Sequence, residues 1–105
     1  MSLELRFHPA ATDQLFGLYQ HIAAEGGRLR AGEYISRLEA ACLRLAAFPR
    51  MGRLAEELGP EFRVLAFERR AVIVYRLTDA AVEILGVYFG GRDIAALLGQ
   101  SDQQL

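Results

Sequence analysis

The sequence predicts a two-layer α+β domain in which a helical hairpin packs on one face of a mainly antiparallel sheet. Two segments in the first half repeat apolar residues at spacings of three and four, which is typical of amphipathic helices. Three segments in the second half are apolar and β-branched and are separated by short polar turns, which is typical of an antiparallel meander. A short alternating segment at the start supplies one more strand. The predicted order is therefore β-α-α-β-β-β-α.

The elements of the first half have recognisable beginnings and ends. Residues 3–8 alternate apolar and polar side chains and predict a half-buried strand. Pro9 suits the first turn of a helix, where a missing N–H costs nothing, and the first helix is predicted over about 10–24. Gly26-Gly27 is a stop signal of the left-handed type, and a second helix is predicted over about 31–48. The apolar stripe of this second helix is Tyr34, Ile35, Leu38, Ala41, Cys42, Leu45 and Phe48.

The second half changes period after Pro49. Residues 50–60 contain two glycines and a proline and predict a loop. The following elements are predicted as strands over 61–67, 71–77 and 82–89, a short helix over about 93–98 and a polar tail over 99–105. The middle strand, AVIVYRL, is apolar on both faces, so we expect it at the centre of the sheet.

Size and composition indicate one globular domain, residues 1–105, with 52% apolar and 24% charged residues. No stretch approaches the roughly 20 apolar residues that span a bilayer. The start, MSLELRFHP, lacks the apolar block of a secretory signal. A single cysteine, Cys42, cannot form an internal disulfide and lies on the apolar stripe, which predicts a core residue. We therefore expect a cytoplasmic protein that does not contact a membrane.

The charges exclude some functions. The net charge is −1, so the composition does not indicate non-specific nucleic-acid binding. All twelve basic residues are arginines, which can bind or stabilise a negative charge but cannot act as a general base. Neither His8 nor His21 pairs with a cysteine or carboxylate at metal-ligand spacing, and His21 is predicted to be a solvated helix residue. We expect no metal and no cofactor.

Three stretches of the chain resemble the RelE/ParE toxins of bacterial type II toxin–antitoxin modules, and within them the ParE branch. They are FPRMGR at 48–53, similar to the Pro-x-x-Gly-Arg junction of that branch, FRVLAFERRAVIVYRL at 62–77 and VEILGVYFGGRDIAALL at 82–98. The order of elements is also that of the family, and the resemblance covers about residues 3–98. It implies a toxin that is neutralised by a cognate antitoxin encoded with it.

The family resemblance implies two activities on one fold. ParE-like toxins act on DNA gyrase and have no recognised catalytic residues, whereas RelE-like toxins cleave mRNA on the ribosome. Cleavage by the RNA 2′-hydroxyl needs a base, an acid and cations around the phosphorane. Arg63 and Arg92 match arginines of the RelE branch, and Tyr88 is the nearest substitute for its acid or base; a half-buried sheet tyrosine is the other interpretation of Tyr88.

The sequence departs from the RelE branch at the remaining positions. No lysine lies between the second helix and the next strand, and the C-terminal helix has neither tyrosine nor histidine. The ParE-like interpretation, a gyrase inhibitor that is not itself an enzyme, is therefore our first. A RelE-like endonuclease is the alternative, and a degenerate toxin that only binds its antitoxin in operon repression is a third.

Two arginines next to glycines have alternative interpretations. Arg53, after Gly52, either clamps its loop onto the sheet or contacts a target. Arg92, after two glycines, is either catalytic, or pairs with Asp93 or a sheet-end carbonyl, or contacts a protein partner.

The expected binding surface for the antitoxin, or for the target, lies on the sheet and the C-terminal region. The apolar centre would be aliphatic and the rim would use arginines to meet an acidic antitoxin tail. The predicted contact residues are Arg53, Arg63, Arg69, Val72, Val74, Arg92, Leu97 and Leu98.

Overall fold

A computed structural model describes residues 3–89 of the chain. The predicted helix over 93–98, and with it Arg92, Leu97 and Leu98, lies outside these residues.

The two helices predicted for the first half of the chain are confirmed, and each is longer than its apolar pattern indicated. Helix α1 spans Pro9–Gly26 and α2 spans Arg28–Ala47, so a single residue joins them. That residue, Gly27, has a φ of 92°, a backbone conformation that residues with side chains rarely adopt. Helix α2 begins three residues before the predicted start because Arg28, Leu29 and Arg30 are good helix formers that add nothing to the apolar stripe. Neither helix is long and apolar enough to cross a membrane.

The five strands form one mixed sheet. They are β1 (Glu4–Phe7), β2 (Arg53–Leu54), β3 (Phe62–Phe67), β4 (Ala71–Leu77) and β5 (Ala81–Phe89), in the spatial order β1-β5-β4-β3-β2. The antiparallel meander of β3, β4 and β5 and the central position of β4 are confirmed. Strand β1 pairs with β5 in parallel.

Strand β2 corrects the prediction of a loop over 50–60. It has only two residues, both exposed, and it pairs with β3 through Arg53–Val64 and Leu54–Arg63. A strand of this length has no alternation to detect, and only its partner strand stabilises it. Because β2 is short, β3 lies close to the edge of the sheet.

The inner face of the sheet packs on the helical hairpin and forms the main core. Cys42, Leu38 and Leu45 from α2 are fully buried there beside Ile73 and Tyr75 from β4. The prediction that Cys42 is a core residue is confirmed. Phe48 is a correction, because the helix ends at Ala47 and leaves its side chain 64% exposed.

A smaller apolar cluster covers part of the outer face and explains why β4 is apolar on both sides. Val72 and Val74 lie there with Val64 of β3. Ala55, from the segment after β2, is fully buried against them, and Leu58, Phe62 and Tyr88 pack around it. Part of the outer face therefore has its own cover within the described residues.

Candidate functional site

The loop after α2 is held to the sheet by three hydrogen bonds from residues of β3 and β4. The Tyr75 hydroxyl donates to the Pro49 carbonyl oxygen at 2.7 Å and accepts from the Gly52 N–H at 2.9 Å. Arg63 donates from its Nη1 to the Gly52 carbonyl oxygen at 2.7 Å. Both backbone groups of Gly52 are thus satisfied by side chains of the sheet, so the loop has a defined position.

Gly52 approaches the sheet too closely for any side chain. A Cβ atom at this position would lie 2.6 Å from the Val64 carbonyl oxygen and 2.7 Å from the Tyr75 hydroxyl oxygen. The glycine of the Pro-x-x-Gly-Arg junction is therefore required by packing. Burial raises the pKa of Tyr75, and the Gly52 hydrogen bond and the Arg63 charge oppose that rise. The phenol stays protonated at neutral pH and can donate to Pro49.

This fixed loop presents apolar and cationic side chains to solvent. Phe48 is 64% exposed, Met51 44% and Leu54 45%. Arg50 and Arg53 lie between them, and both are exposed. We call these five residues, which are neighbours along the chain, the loop surface; Arg53 and Leu54 pair with Val64 and Arg63 and therefore lie on opposite faces of the sheet. Exposed apolar side chains beside arginines are typical of protein-binding surfaces.

A cavity of about 410 Å³ lies between the loop and the outer face of the sheet. Loop residues 51–53 form one side, and Val64, Leu65, Ala66 and Val72 form the other. We call it the β3 groove. Its walls are apolar except for Arg53, so it is suited to an apolar side chain with acidic neighbours.

The Arg53 side chain bonds within its own segment, residues 53–57, and does not clamp the loop after α2 onto the sheet. Its Nη2 lies 3.2 Å from the Glu57 carboxylate, and its Nη1 donates to the Leu54 carbonyl oxygen at 3.3 Å. The clamp onto the sheet is Arg63. Arg53 remains half-exposed at the wall of the β3 groove, where it can also meet a partner.

The turn between β3 and β4 carries Arg69 and is held by α2. Glu68 and Arg69 have φ values of 49° and 60°, an uncommon conformation for residues with side chains. Both carboxylate oxygens of Glu68 accept from Arg37, at 2.9 and 3.0 Å. The hydrogen bond from Arg37 is the main cause that lowers the pKa of Glu68. Arg69 is exposed at the tip of this turn.

Arg63 and Tyr88, two of the three residues of the nuclease alternative, lie on opposite faces of the sheet. Arg63 pairs across strands with Tyr75, whose side chain lies in the inner core. Tyr88 pairs with Val72 and packs on the outer cluster. Side chains of paired residues lie on the same face, so these two cannot converge on one phosphate in this arrangement. Arg92, the third, is outside the described residues.

The other predicted residues are placed as follows. Val72 and Val74 are 7% and 5% exposed, so they support the outer cluster, and only Val72 lines the β3 groove. His21 is exposed and lies 3.5 Å from Glu25, which confirms a solvated helix residue. Within residues 3–89 no three histidine, cysteine or acidic side chains are grouped as metal ligands would be.

Sequence reasoning missed Tyr75 and Gly52 as the residues that build this site. A signal for Tyr75 was available, because a tyrosine in the middle of a buried strand needs a hydrogen-bond partner. The sequence could not indicate that this partner is the Pro49 carbonyl, which is 26 residues away.

Comparison with known proteins places the chain among toxins of one kind. The family model described as "ParE toxin of type II toxin-antitoxin system, parDE" matches residues 5–94. Toxin ParE3 of Caulobacter vibrioides is 32% identical over 100 residues, which cover 95% of this chain and 98% of that protein. A solved chain of the chromosomal ParDE system from P. aeruginosa is 19% identical with a TM-score of 0.74, and the match covers 84% of this chain and 96% of that one.

Proposed function

This chain belongs to the ParE toxin family of type II toxin–antitoxin systems, and from that membership we propose that it inhibits DNA gyrase through a protein–protein contact made by its loop surface. Family membership implies an antitoxin partner. We propose that a cognate antitoxin neutralises the toxin by covering the loop surface and its surroundings.

The observation that carries this proposal is the loop surface itself. Phe48, Met51 and Leu54 are exposed although they are large and apolar, and the Tyr75 and Arg63 hydrogen bonds hold their loop in one position. A pre-positioned apolar surface loses little conformational entropy when it binds a partner. The separation of Arg63 from Tyr88 supports a binding function over phosphate chemistry.

The contact residues follow from this placement. Arg53 and Val72 line the β3 groove, and Arg69 is exposed at the tip of the turn, so we propose all three as contacts or near neighbours of contacts. Arg63 acts by holding the loop, and Val74 by supporting the outer cluster. Arg92, Leu97 and Leu98 stay predictions.

The test is a supercoiling assay with purified gyrase beside a translation assay with purified ribosomes. We expect the toxin to inhibit supercoiling or to stabilise cleaved DNA, and to leave mRNA intact. The double variant Phe48→Ala/Met51→Ala should lose the effect on gyrase. Phe16→Ala is the matched control, because Phe16 is also exposed, at 53%, but lies on α1.

The opposite results identify the alternatives. Cleavage of mRNA with gyrase unaffected would favour the RelE-like endonuclease. No effect in either assay, together with antitoxin binding, would favour a degenerate toxin that acts only in operon repression.

A further inference from the structure

We propose that the β3 groove accepts an extended, acidic segment of the antitoxin, which adds a strand to the open edge of β3 and places an apolar side chain in the cavity beside Met51. This inference rests on the proposed function, because it specifies how the antitoxin would be held. Four features of residues 3–89 lead to it.

The first feature is an edge that β2 leaves open. Strand β3 has six residues, but β2 pairs with only Arg63 and Val64. Met51 and Gly52, which precede β2, do not extend its pairing with β3. The Gly52 backbone groups bond to the side chains of Tyr75 and Arg63, and the Met51 N–H donates to the Phe48 carbonyl oxygen. The outer edge of β3 is therefore without a strand partner from Leu65 onwards among the described residues.

The second feature is the orientation of the backbone at this edge. The Phe62 carbonyl accepts from the Ala55 N–H, so Phe62 directs its backbone groups away from β4. In an antiparallel strand the direction alternates, so Ala66 directs its N–H and C=O outward as Phe62 and Val64 do. Ala66 is also exposed. It therefore offers one donor and one acceptor to an added strand, as edge-binding peptides require.

The third feature is the cavity beside that edge. Val64, Ala66 and Val72 line it on the outer face of the sheet, and Met51 lines it on the loop side. Alternate side chains of an added strand point to the same face of the sheet. A strand paired with Ala66 would thus direct one set of side chains over this apolar wall.

The fourth feature is the charge around the edge. Arg53, at the groove wall, has a carboxylate partner in Glu57. Among residues 3–89, the ion pairs of arginines involve Arg6, Arg37, Arg53 and Arg76, and no carboxylate lies within 4 Å of Arg63 or Arg69. Arg63 is engaged with the Gly52 carbonyl on the inner face of the sheet, so the cations that an acidic segment can meet are Arg53 at the groove wall and Arg69 at the tip of the turn.

The same charges disfavour a second copy of this chain at the edge. Two β3 strands that pair antiparallel about Ala66 would bring the turn that carries Arg69 of each copy toward β2 of the other, which carries Arg53 at the groove wall. Like charges that are brought close together repel each other. An acidic partner is favoured by the same two residues.

Hydrogen exchange tests the pairing directly. The probe is the antitoxin encoded beside this chain, added to the full-length toxin. We expect the Ala66 amide to exchange at least about tenfold more slowly in the complex, because it becomes a donor to the added strand. Protection of Ala66 without antitoxin would overturn the proposal. If that protection rises with toxin concentration, a second copy of the chain occupies the edge. If the protection does not depend on concentration, another segment of the same chain occupies it.

Substitutions at Ala66 supply the second test. Ala66→Glu adds bulk and a negative charge to the groove and should weaken antitoxin binding by about tenfold or more. Ala66→Gln, which is equal in size to the glutamate variant but neutral, should weaken it less. Ala24→Glu is the matched control, because Ala24 is exposed on α1, which packs on α2 and β5.

The outcomes separate this inference from the proposed function. A complex in which the Ala66 amide stays unprotected, or in which Ala66→Glu binds as tightly as the parent, would show that the β3 groove is not the binding site. The proposal of an antitoxin partner would still stand. Absence of any complex would overturn both. If Ala66→Glu does not fold, hydrogen exchange on the unaltered chain decides the question.

Discussion

Tyr75 connects the two halves of the molecule through a single hydroxyl group. It joins β4 to the loop after α2, and it satisfies one backbone carbonyl and one backbone N–H that would otherwise lack partners. Because both groups belong to the loop that carries Phe48 and Met51, the hydroxyl also sets the position of the loop surface.

Removing this hydroxyl should destabilise the protein measurably. We expect Tyr75→Phe to lower the free energy of unfolding by about 1–3 kcal/mol, because the Gly52 N–H and the Pro49 carbonyl lose their partner. Urea unfolding followed by circular dichroism measures this. Tyr88→Phe is the control, since the described residues give the Tyr88 hydroxyl no hydrogen bond, and it should change stability by less than about 0.5 kcal/mol. Equal effects of the two substitutions would contradict the assignment.

Glu83 gives stability a dependence on pH. Its carboxylate accepts from Arg76, at 3.2 Å from Nε, and that hydrogen bond is the main cause that lowers its pKa in the folded state. A lowered folded pKa contributes stability above the unfolded value, near 4.5, and this contribution is lost as the pH falls through the folded value.

We therefore expect Glu83→Gln to be less stable than the parent above about pH 5, with the difference shrinking as the pH falls below the unfolded glutamate value. Thermal unfolding between about pH 3 and pH 7 would show this, because that range contains the pKa of a glutamate in the unfolded chain. In an Arg76→Gln background the pH dependence of the difference should largely disappear. A difference that grows toward low pH would have the wrong sign for this ion pair.

At the scale of elements, glycines have opposite roles in α2 and in the loop that follows it. Gly32 lies within α2, and a Cβ there meets no atom within 4 Å. Gly52 meets the Val64 carbonyl at 2.6 Å. The same added methyl group should thus stabilise one element and disrupt the other.

We expect Gly32→Ala to raise the free energy of unfolding by about 0.5–1 kcal/mol, because alanine loses less backbone entropy in a helix. Gly52→Ala should lower it by about 1–3 kcal/mol, because the loop must move off the sheet. The two variants serve as each other's control in one denaturation series. If Gly52→Ala matched the parent in stability, the close contact with β3 would not exist in solution.

The element patterns show how far periodicity alone reaches. It located β1, α1, α2, β3, β4 and β5 because each is long enough to repeat its pattern against a core. It missed β2, whose two residues have no pattern, and it placed Phe48 on the apolar stripe of a helix that ends one residue earlier.

At the scale of the whole molecule, Cys42 reports on the integrity of the main core. Its side chain is fully buried where both helices meet the sheet. Burial raises the pKa of its thiol to about 12, and the charge of Glu39 adds to that rise. The reactive thiolate is therefore scarce in the folded state, and reagents cannot reach the sulfur.

We expect alkylation of Cys42 at neutral pH to proceed only through unfolding of the core. Its rate with iodoacetamide should rise with urea in parallel with the unfolded fraction, and a bound antitoxin should slow it by mass action. The chain in strong denaturant gives the reference rate. Alkylation of the native protein at that reference rate would contradict the buried position.

Local pattern and composition by themselves determined the α+β class, the order of the main elements, the core position of Cys42 and the resemblance to ParE toxins that the comparisons confirm. These properties depend on neighbours three or four positions along a helix, or two along a strand, and such spacings are readable from the chain. Only the tertiary structure decided that Arg63 holds Gly52 while Tyr88 lies on the opposite face, and that β3 keeps an open edge at Ala66. Those facts depend on strand register and on contacts between distant residues, for which the sequence carries no local signal.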